Sequence, residues 1–227
     1  MRINKYIASR GLATRRDADE LVKQGRVTIN GRRAVLGDKV VESDKVEVRV
    51  PAKTYRYFAY HKPGGILTHS AQEGEEDIAG VTGLKGLFPV GRLDKDSHGL
   101  IILTDDGRVT EALLNPEHEH EKEYEVRVSI PLPKVFKRRM ERGLDIGGYR
   151  TKPCKVSIHG ERKFGVILTE GKKHQIRRMC GALGQSVVEL KRVRIMNIKL
   201  GSLAQGKFRA LGGAELQGFL SALSLAR

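Results

Sequence analysis

Residues 90–107 read VGRLDKDSHGLIILTDDG. The run LIIL at residues 100–103 predicts a buried strand, and Asp105, Asp106 and Gly107 after it predict a turn. Asp94 is harder to place. It stands between an Arg-Leu pair and Gly99, at the lip of that strand, in a chain of formal charge +15. Side chains at the lip of a sheet point into the cleft where ligands bind, so Asp94 is the first candidate for chemistry. The plain alternative is a turn or capping aspartate.

At 227 residues the chain has room for one large domain, or for a small module joined to a medium one. Its 42 Lys and Arg against 27 Asp and Glu create a positive field that favours polyanionic partners. The field is uneven. Residues 1–50 carry 12 basic and 7 acidic side chains, residues 51–130 carry 9 and 14, and residues 131–227 carry 21 and 6. Asp94 therefore lies in an acidic middle flanked by two basic regions. No stretch approaches the ~20 apolar residues of a membrane span, and the first 30 residues lack the apolar core of a secretory signal. A cytoplasmic protein is expected. Cys154 and Cys180 have neither metal nor redox spacing, and HEHE at residues 118–121 has no second cluster to complete a ligand shell, so neither a disulfide framework nor a metal is expected.

The first 50 residues read as a small module. Ile3, Tyr6 and Ile7 share a helical face, and a second helix follows Thr14, a good N-cap, with Ala18, Leu21 and Val22 apolar and Gly25 as its stop. Two strands joined by an Asn-Gly turn, and the alternating KVEVRV, complete a compact unit. Arg15, Arg16, Lys23, Arg26, Arg32 and Arg33 are close enough in sequence to form one basic face for a nucleic-acid backbone. Residues 51–56, PAKTYR, read as a linker, leaving residues 57–227 as the main domain.

In that domain the expected order is a strand in YFAYHKPGG, a Gly-rich loop over residues 64–86, the strand LFPV, the opening stretch, and a short helix over 109–114. KEYEVRVSI follows with Tyr124, Val126, Val128 and Ile130 on one face, then a basic helix from Pro133 to about Arg142 and a strand in KFGVILTEG. Ile176, Met179, Cys180 and Leu183 make the helix after it amphipathic, with Gly184 as its stop and His174, Arg177 and Arg178 off the apolar stripe. In LKRVRIMNIKL the alternation slips phase, which a bulge near Ile195 or Met196 would explain. ELQGFLSAL closes the chain as a helix. Strands and helices mix without a βαβ rhythm, so the expected class is α+β around a mainly antiparallel mixed sheet.

There is no phosphate-binding loop, no nucleophile elbow and no suitably spaced carboxylate pair, since Asp96 sits two residues from Asp94 in a turn. Asp94, Arg92, Tyr124 and the arginines of the amphipathic helix remain. A carboxylate in a cleft must stay ionised to act as nucleophile or base, burial raises its pKa, and a guanidinium beside it restores the charge. Arg177 or Arg178 could supply that guanidinium.

NKYI and ATRRDADELVKQGRVTING resemble the S4 domain, a small RNA-binding module. GRLDKDSHGLIILTDDG resembles the signature of the pseudouridine synthases, in the branch that modifies ribosomal RNA and carries an N-terminal S4 domain. KEYEV around Tyr124, KKHQIRRM around Arg177, KRVRIMNIKLG and GKFRAL follow in the family's order, and HEKEY with GRLDKDS is most similar to the F-type large-subunit enzymes. The resemblance implies that Asp94 is the catalytic carboxylate, that Tyr124 stacks on the target uracil, that Arg177 partners Asp94, and that Arg92 fills the space left by a flipped nucleotide. It implies uridine-to-pseudouridine isomerisation in ribosomal RNA, in the 23S molecule, by a monomer without cofactor, with transfer RNA as a further candidate substrate. Leu93 and Leu100 are candidates for the dry wall that keeps water from an activated ribose C1′. The competing readings are a non-catalytic ribosome-assembly factor and a uracil-releasing N-glycosylase. The printed chain ends at Arg227 without the long basic tail of some relatives, so affinity is expected to rest more on the N-terminal module.

Overall fold

In the computed structural model, which describes residues 1–51, 54–69, 72 and 74–225, LIIL lies inside the strand β6 (His98–Thr104). Successive side chains of a strand point to opposite faces, and here both faces are covered. Leu100 and Ile102 enter one apolar core, Ile101 and Leu103 another.

The N-terminal unit consists of α1 (Ile3–Ser9), α2 (Arg15–Lys23) and a small antiparallel sheet of β1 (Val27–Ile29), β2 (Arg32–Arg33) and β3 (Val46–Val48). Thr14 caps α2, its hydroxyl oxygen accepting from the Asp17 amide at 3.0 Å. Asn30 (φ 51°) and Gly31 (φ 81°) both adopt the left-handed region that an Asn-Gly hairpin turn requires. The unit has its own core around Ile3, Ile7, Leu21, Val22 and Val27. It also touches the rest of the molecule. Arg15 reaches Glu111 at 3.4 Å, and a Cβ added to Gly107 would lie 2.4 Å from the Thr14 methyl. Of the expected linker, Ala52 and Lys53 lie outside the described residues, and Arg56 is tied to Asp105 through its amide at 2.8 Å and its guanidinium at 3.0 Å.

The second unit is built on nine strands. β4 (Tyr57–Lys62), β6, β10 (Val187–Ile195), β7 (Lys122–Val128), β9 (Lys163–Leu168) and β8 (Lys155–Gly160) follow β12 (Phe208–Ala210) across the sheet, with β5 (Phe88–Val90) on β6 and β11 (Ile198–Lys199) on β10. Every pairing is antiparallel except that of β6 with β10. The helices α4 (Gly107–Leu114) and α7 (Gly213–Ala222) send Val109, Leu113 and Phe219 into the core with Leu100 and Ile102. The helices α5 (Phe136–Glu141) and α6 (Gln175–Gly181) send Phe136, Met140, Ile176 and Met179 into a core over β7, β8 and β9.

Several expectations need correction. Within the Gly-rich stretch 64–86 a helix forms, α3 (Ile78–Thr82), because the Asp77 carboxylate accepts from the Gly80 amide at 2.9 Å and caps it. The strand β8 had no expectation attached, since its outer residues are exposed and its alternation is faint. Ile130 is 51% exposed because β7 ends at Val128. The helix expected from Pro133 begins at Phe136. The phase slip after Ile195 is a tight hairpin: Met196 takes φ 52°, and Ile195 pairs with Ile198. A register shift does occur, but earlier, between Arg192 and Arg194. Asp106, read as a turn residue, is fully buried as the cap of α4 and accepts from Tyr57 and from the fork of Arg108.

One edge of β6 is shared. Its last residues pair with β5, up to Val90 opposite Ile102, whereas His98 and Gly99 pair with Lys191 and Arg192 of β10. The chain leaves β5 at this gap and returns into β6, so residues 91–97 loop out where the two neighbours part. Gly99 makes the closest approach: at φ 114°, a Cβ there would meet the Arg192 carbonyl oxygen at 2.3 Å. Gly99→Ala combines backbone strain with overpacking and is expected to cost roughly 3 kcal/mol, or ~6–12 °C in Tm, as read by thermal unfolding. A variant within ~2 °C of wild type would show that the approach is not enforced.

Candidate active site

The loop that carries Asp94 is held through its backbone. Arg192, 1% exposed at the core-facing position of β10, donates to the Leu100 carbonyl at 2.7 Å, to Gly91 at 3.0 Å and to Arg92 at 3.4 Å. Thr68 donates its hydroxyl to the Leu93 carbonyl at 2.6 Å and accepts from the Leu93 amide at 3.1 Å. Ser97 closes a turn onto the Asp94 carbonyl at 3.0 Å. Lys62, fully buried, points its ammonium at the carbonyls of Pro63, Lys95 and Ser97 at 2.8, 3.1 and 2.8 Å. Buried backbone acceptors left unmade would cost ~1–3 kcal/mol each, so these donors give the loop one conformation. Burial pushes the Lys62 ammonium down to about 8, although Asp94 and Asp96 pull it the other way.

Asp94 itself is 34% exposed at the side chain, so the buried carboxylate of the sequence reading is corrected to a half-open one. Arg177 does come to it, with Nε 4.0 Å from Oδ2. That is ionic range but beyond a hydrogen bond. The Arg177 guanidinium also donates to the Val187 carbonyl at 3.2 Å and lies 3.4 Å from the Ser97 hydroxyl, so it ties α6 to the start of β10 and to the loop. Arg178, the other candidate, points elsewhere, to the Gly147 carbonyl at 3.2 Å. The shortest contact was not anticipated: His174 Nδ1 lies 3.1 Å from the same Oδ2.

Tyr124 is half-buried on β7 beside Arg192 of β10, and it packs against the cluster of Leu93, Ile101 and Leu103. The ring therefore packs on the same apolar cluster as Leu93, the residue that precedes Asp94. Leu93 belongs to this wall. Leu100 does not, since its side chain is on the opposite face of β6, in the core under α4 and α7. Arg92 is exposed, and its carbonyl accepts a hydrogen bond from Arg192. On the N-terminal unit Arg15, Arg16, Lys23, Arg26, Arg32 and Arg33 are all exposed. Some are already paired: Arg15 with Glu111, Lys23 with Glu20, and Arg32 with Asp38. Arg33 donates to the Lys23 carbonyl.

The cysteines are free, and burial pushes the Cys154 thiol up to about 11 and that of Cys180 up to about 12, away from nucleophilic thiolates. The His118 and His120 rings meet edge to face, with centroids 5.6 Å apart. Among the described residues no three metal-ligating side chains converge.

Two outcomes follow from this geometry. The native Lys62 value near 8 lies below the ordinary 10.5, so between those pH values the unfolded chain binds more protons and stability rises with pH. Lys62→Met removes that rise, worth roughly 3 kcal/mol across the window, and frees the carbonyls of residues 63, 95 and 97. Denaturant midpoints of both proteins at pH 7.5 and 10.5 check it, and parallel profiles would rule out a buried ammonium. Because Asp94 and Arg177 are each partly exposed, Arg177→Ala should cost about 1 kcal/mol of stability, not the several of a buried pair, while lowering activity. A loss above ~3 kcal/mol in the same melts would contradict the half-open pair.

Comparison with known proteins bears on this site. Residues 1–46 match the model of the S4 domain, and residues 56–182 match that of the RNA pseudouridylate synthases. The dual-specificity RNA pseudouridine synthase RluF of Salmonella typhi is 42% identical over 223 residues, covering 95% of this chain and 77% of its own. The ribosomal large subunit pseudouridine synthase B of Bacillus subtilis is 35% identical, covering 95% and 94%. A crystal structure described as a pseudouridylate synthase superposes with a TM-score of 0.71 at 29% identity, over 98% of this chain and 99% of its own. With Asp94 presented by a clamped loop beside an aromatic wall, and with these matches along almost its whole length, the chain belongs to the RNA pseudouridylate synthase family and carries an S4 domain at its N-terminal end.

Proposed function

We propose that this pseudouridine synthase acts on ribosomal RNA of the large subunit, with Asp94 as the catalytic carboxylate. Residues 1–50 bind RNA and residues 57–227 carry the chemistry. The observation that carries this reading is the half-open Asp94, presented by a loop whose carbonyls are anchored by Arg192, Thr68 and Lys62, with Tyr124 against the same wall. The name of the Bacillus relative supports the large subunit, and that of the Salmonella relative supports dual specificity, for which transfer RNA is our candidate second substrate.

The reaction breaks the bond from uracil N1 to ribose C1′ and joins C5 to C1′, with N1 gaining the hydrogen that C5 gives up. Atoms and charge balance within the nucleotide, and the chain's own residues suffice for its steps. A stacked uridine hides C1′, so the nucleotide must be extruded at a cost of a few kcal/mol. Stacking on Tyr124 returns ~1–3 kcal/mol, and Arg92, exposed at the loop's entrance, occupies the vacated stack. Asp94 engages the sugar, Arg177 holds its negative charge, and Leu93 and its neighbours keep water from C1′. Arg16, Arg26 and Arg178, with the other cations of the N-terminal unit, meet the phosphates. The enzyme works as a monomer in the cytoplasm, a reducing compartment that suits its two free thiols.

Asp94→Asn should abolish pseudouridine formation in large-subunit ribosomal RNA while RNA affinity falls less than ~3-fold, since the contacts of the basic module are untouched. Pseudouridine mapping with filter binding reads both. Residual activity would remove Asp94 from its role, and free uracil in the products would point to a glycosylase instead.

A further inference from the structure

Residues 131–155 carry eight Lys and Arg against two acidic residues, Glu141 and Asp145. Both acids are occupied. The Glu141 carboxylate accepts from the Val156 amide at 3.1 Å, and that of Asp145 from the Gly147 amide at 2.8 Å, so each serves the local backbone. Of the cations, Lys152 and Lys155 lie 2.6 and 3.4 Å from Glu119 and Glu121, and Lys137 lies 3.9 Å from Glu141. Lys134, Arg138, Arg139, Arg142 and Arg150 are exposed and form no ion pair among the described residues.

The helix α5 arranges these charges. Phe136 and Met140, at i and i+4, are its buried stripe. Arg138 and Arg142, the latter in helical conformation as the C-cap, each stand two residues further on, about 200° round the axis, and form the outward stripe. Lys137 and Arg139 flank it. Like charges at i and i+4 repel within a helix, so the stripe does not serve the fold. The helix dipole favours cations in the last turn, where Arg138 and Arg139 lie, but Lys134 and Lys137 come before it.

The place of α5 in the sheet gives the stripe a use. α5 and α6 cover the same core over β7, β8 and β9, and Tyr124 packs against that core as well as against the cluster of Leu93. The turn after α5 is joined to α6 and the segment before it, through Arg178 on the Gly147 carbonyl at 3.2 Å and through the Tyr149 hydroxyl on Glu170. These elements form one layer on the face that Tyr124 shares, and Arg177 of α6 stands at Asp94. From β6 to β8 there are four strand spacings, ~19 Å, or several nucleotides of a stacked strand at ~3.4 Å each. No free aromatic platform accompanies the cations: Phe136 is buried, and the Lys172 ammonium sits 4.4 Å from the centre of the Tyr149 ring. Such a surface suits phosphates, not unstacked bases.

We propose that α5 and the turn after it form a second RNA-binding surface, in which Arg138 and Arg142, flanked by Lys134, Lys137, Arg139 and Arg150, hold the phosphate backbone of the substrate RNA several nucleotides from the target uridine. The proposal rests on the reading that the Asp94 site modifies ribosomal RNA. It moves part of the affinity away from the N-terminal unit, where Arg15, Lys23 and Arg32 already have carboxylate partners.

Two double variants test it: Arg138→Gln with Arg142→Gln on the stripe, and Lys199→Gln with Lys207→Gln, exposed beside β12 at the far end of the sheet, where the same net charge is lost. Gln is a good helix former, so both should melt within a few degrees of wild type. Filter binding of the full chain to an unmodified transcript of large-subunit ribosomal RNA, over a range of salt, reads the affinity. The stripe variant should bind ~10-fold more weakly at ~0.1 M salt, and its slope of log Kd against log salt should fall by ~1.5, the share of two phosphate contacts. Its KM should rise while kcat stays within ~2-fold of wild type. The β12 variant should change Kd less than ~2-fold. Equal losses in the two variants would assign the effect to net charge, and an unchanged slope in the stripe variant would remove RNA from this surface; either result overturns the proposal. A wild-type enzyme that binds the transcript but forms no pseudouridine in it would overturn the ribosomal RNA reading of the site, and the binding slopes would still decide the surface.

Discussion

The guanidinium of Arg192 holds the site together. At the point where the edge of β6 passes from β10 to β5, no strand continues the ladder, and the Leu100 carbonyl would be left without a partner. Arg192 supplies the missing donor and uses its remaining N–H groups on Gly91 and Arg92, across the gap. A planar fork of five donors suits this task, and its weaker hydration makes burial less costly than for an ammonium. One side chain thereby closes the sheet and sets the base of the loop that carries Asp94.

The surrounding electrostatics follow from that choice. A buried cation raises the cost of others nearby, and Lys122, on β7 close to Arg192, is pushed down to about 8 by burial and by that neighbouring charge. Lys62 comes to the same value from the other side of the loop, with Asp94 and Asp96 as its nearest compensation. Two carboxylates of the acidic middle, Asp94 and Asp96, therefore lie near a cation that the sheet has buried. Asp94 can remain half open because its loop is anchored by backbone contacts and leaves the carboxylate to its ring and guanidinium neighbours.

Much of this was legible in the residues. The alternation of KEYEVRV, the i, i+3, i+4, i+7 stripe from Ile176 to Leu183, and Thr14 as a cap all express local rules that tertiary contacts did not override. What escaped were contacts between distant segments. Arg192 looked like one more cation in KRVRI, and only its parity with Leu190, a core position, could have marked it. Lys62 ends an apolar strand and gave no local sign that three carbonyls would meet it. His174 was set aside with the polar side of its helix, because its contact with Asp94 spans 80 residues of sequence.

By itself the sequence determined the two units, the α+β class, the family, and Asp94 with Tyr124 and Arg177 as the residues to examine, because each of these is written in short runs whose period or motif is local. Only the tertiary structure decided that Asp94 is half open, that Leu93 and Leu100 lie on opposite faces of β6, that Arg15 is engaged with Glu111, and that a histidine ring is the nearest basic group to the carboxylate. Those outcomes depend on which strands share an edge and where a loop crosses it. That is a property of strand pairing over long separations, and no window of neighbouring residues contains it.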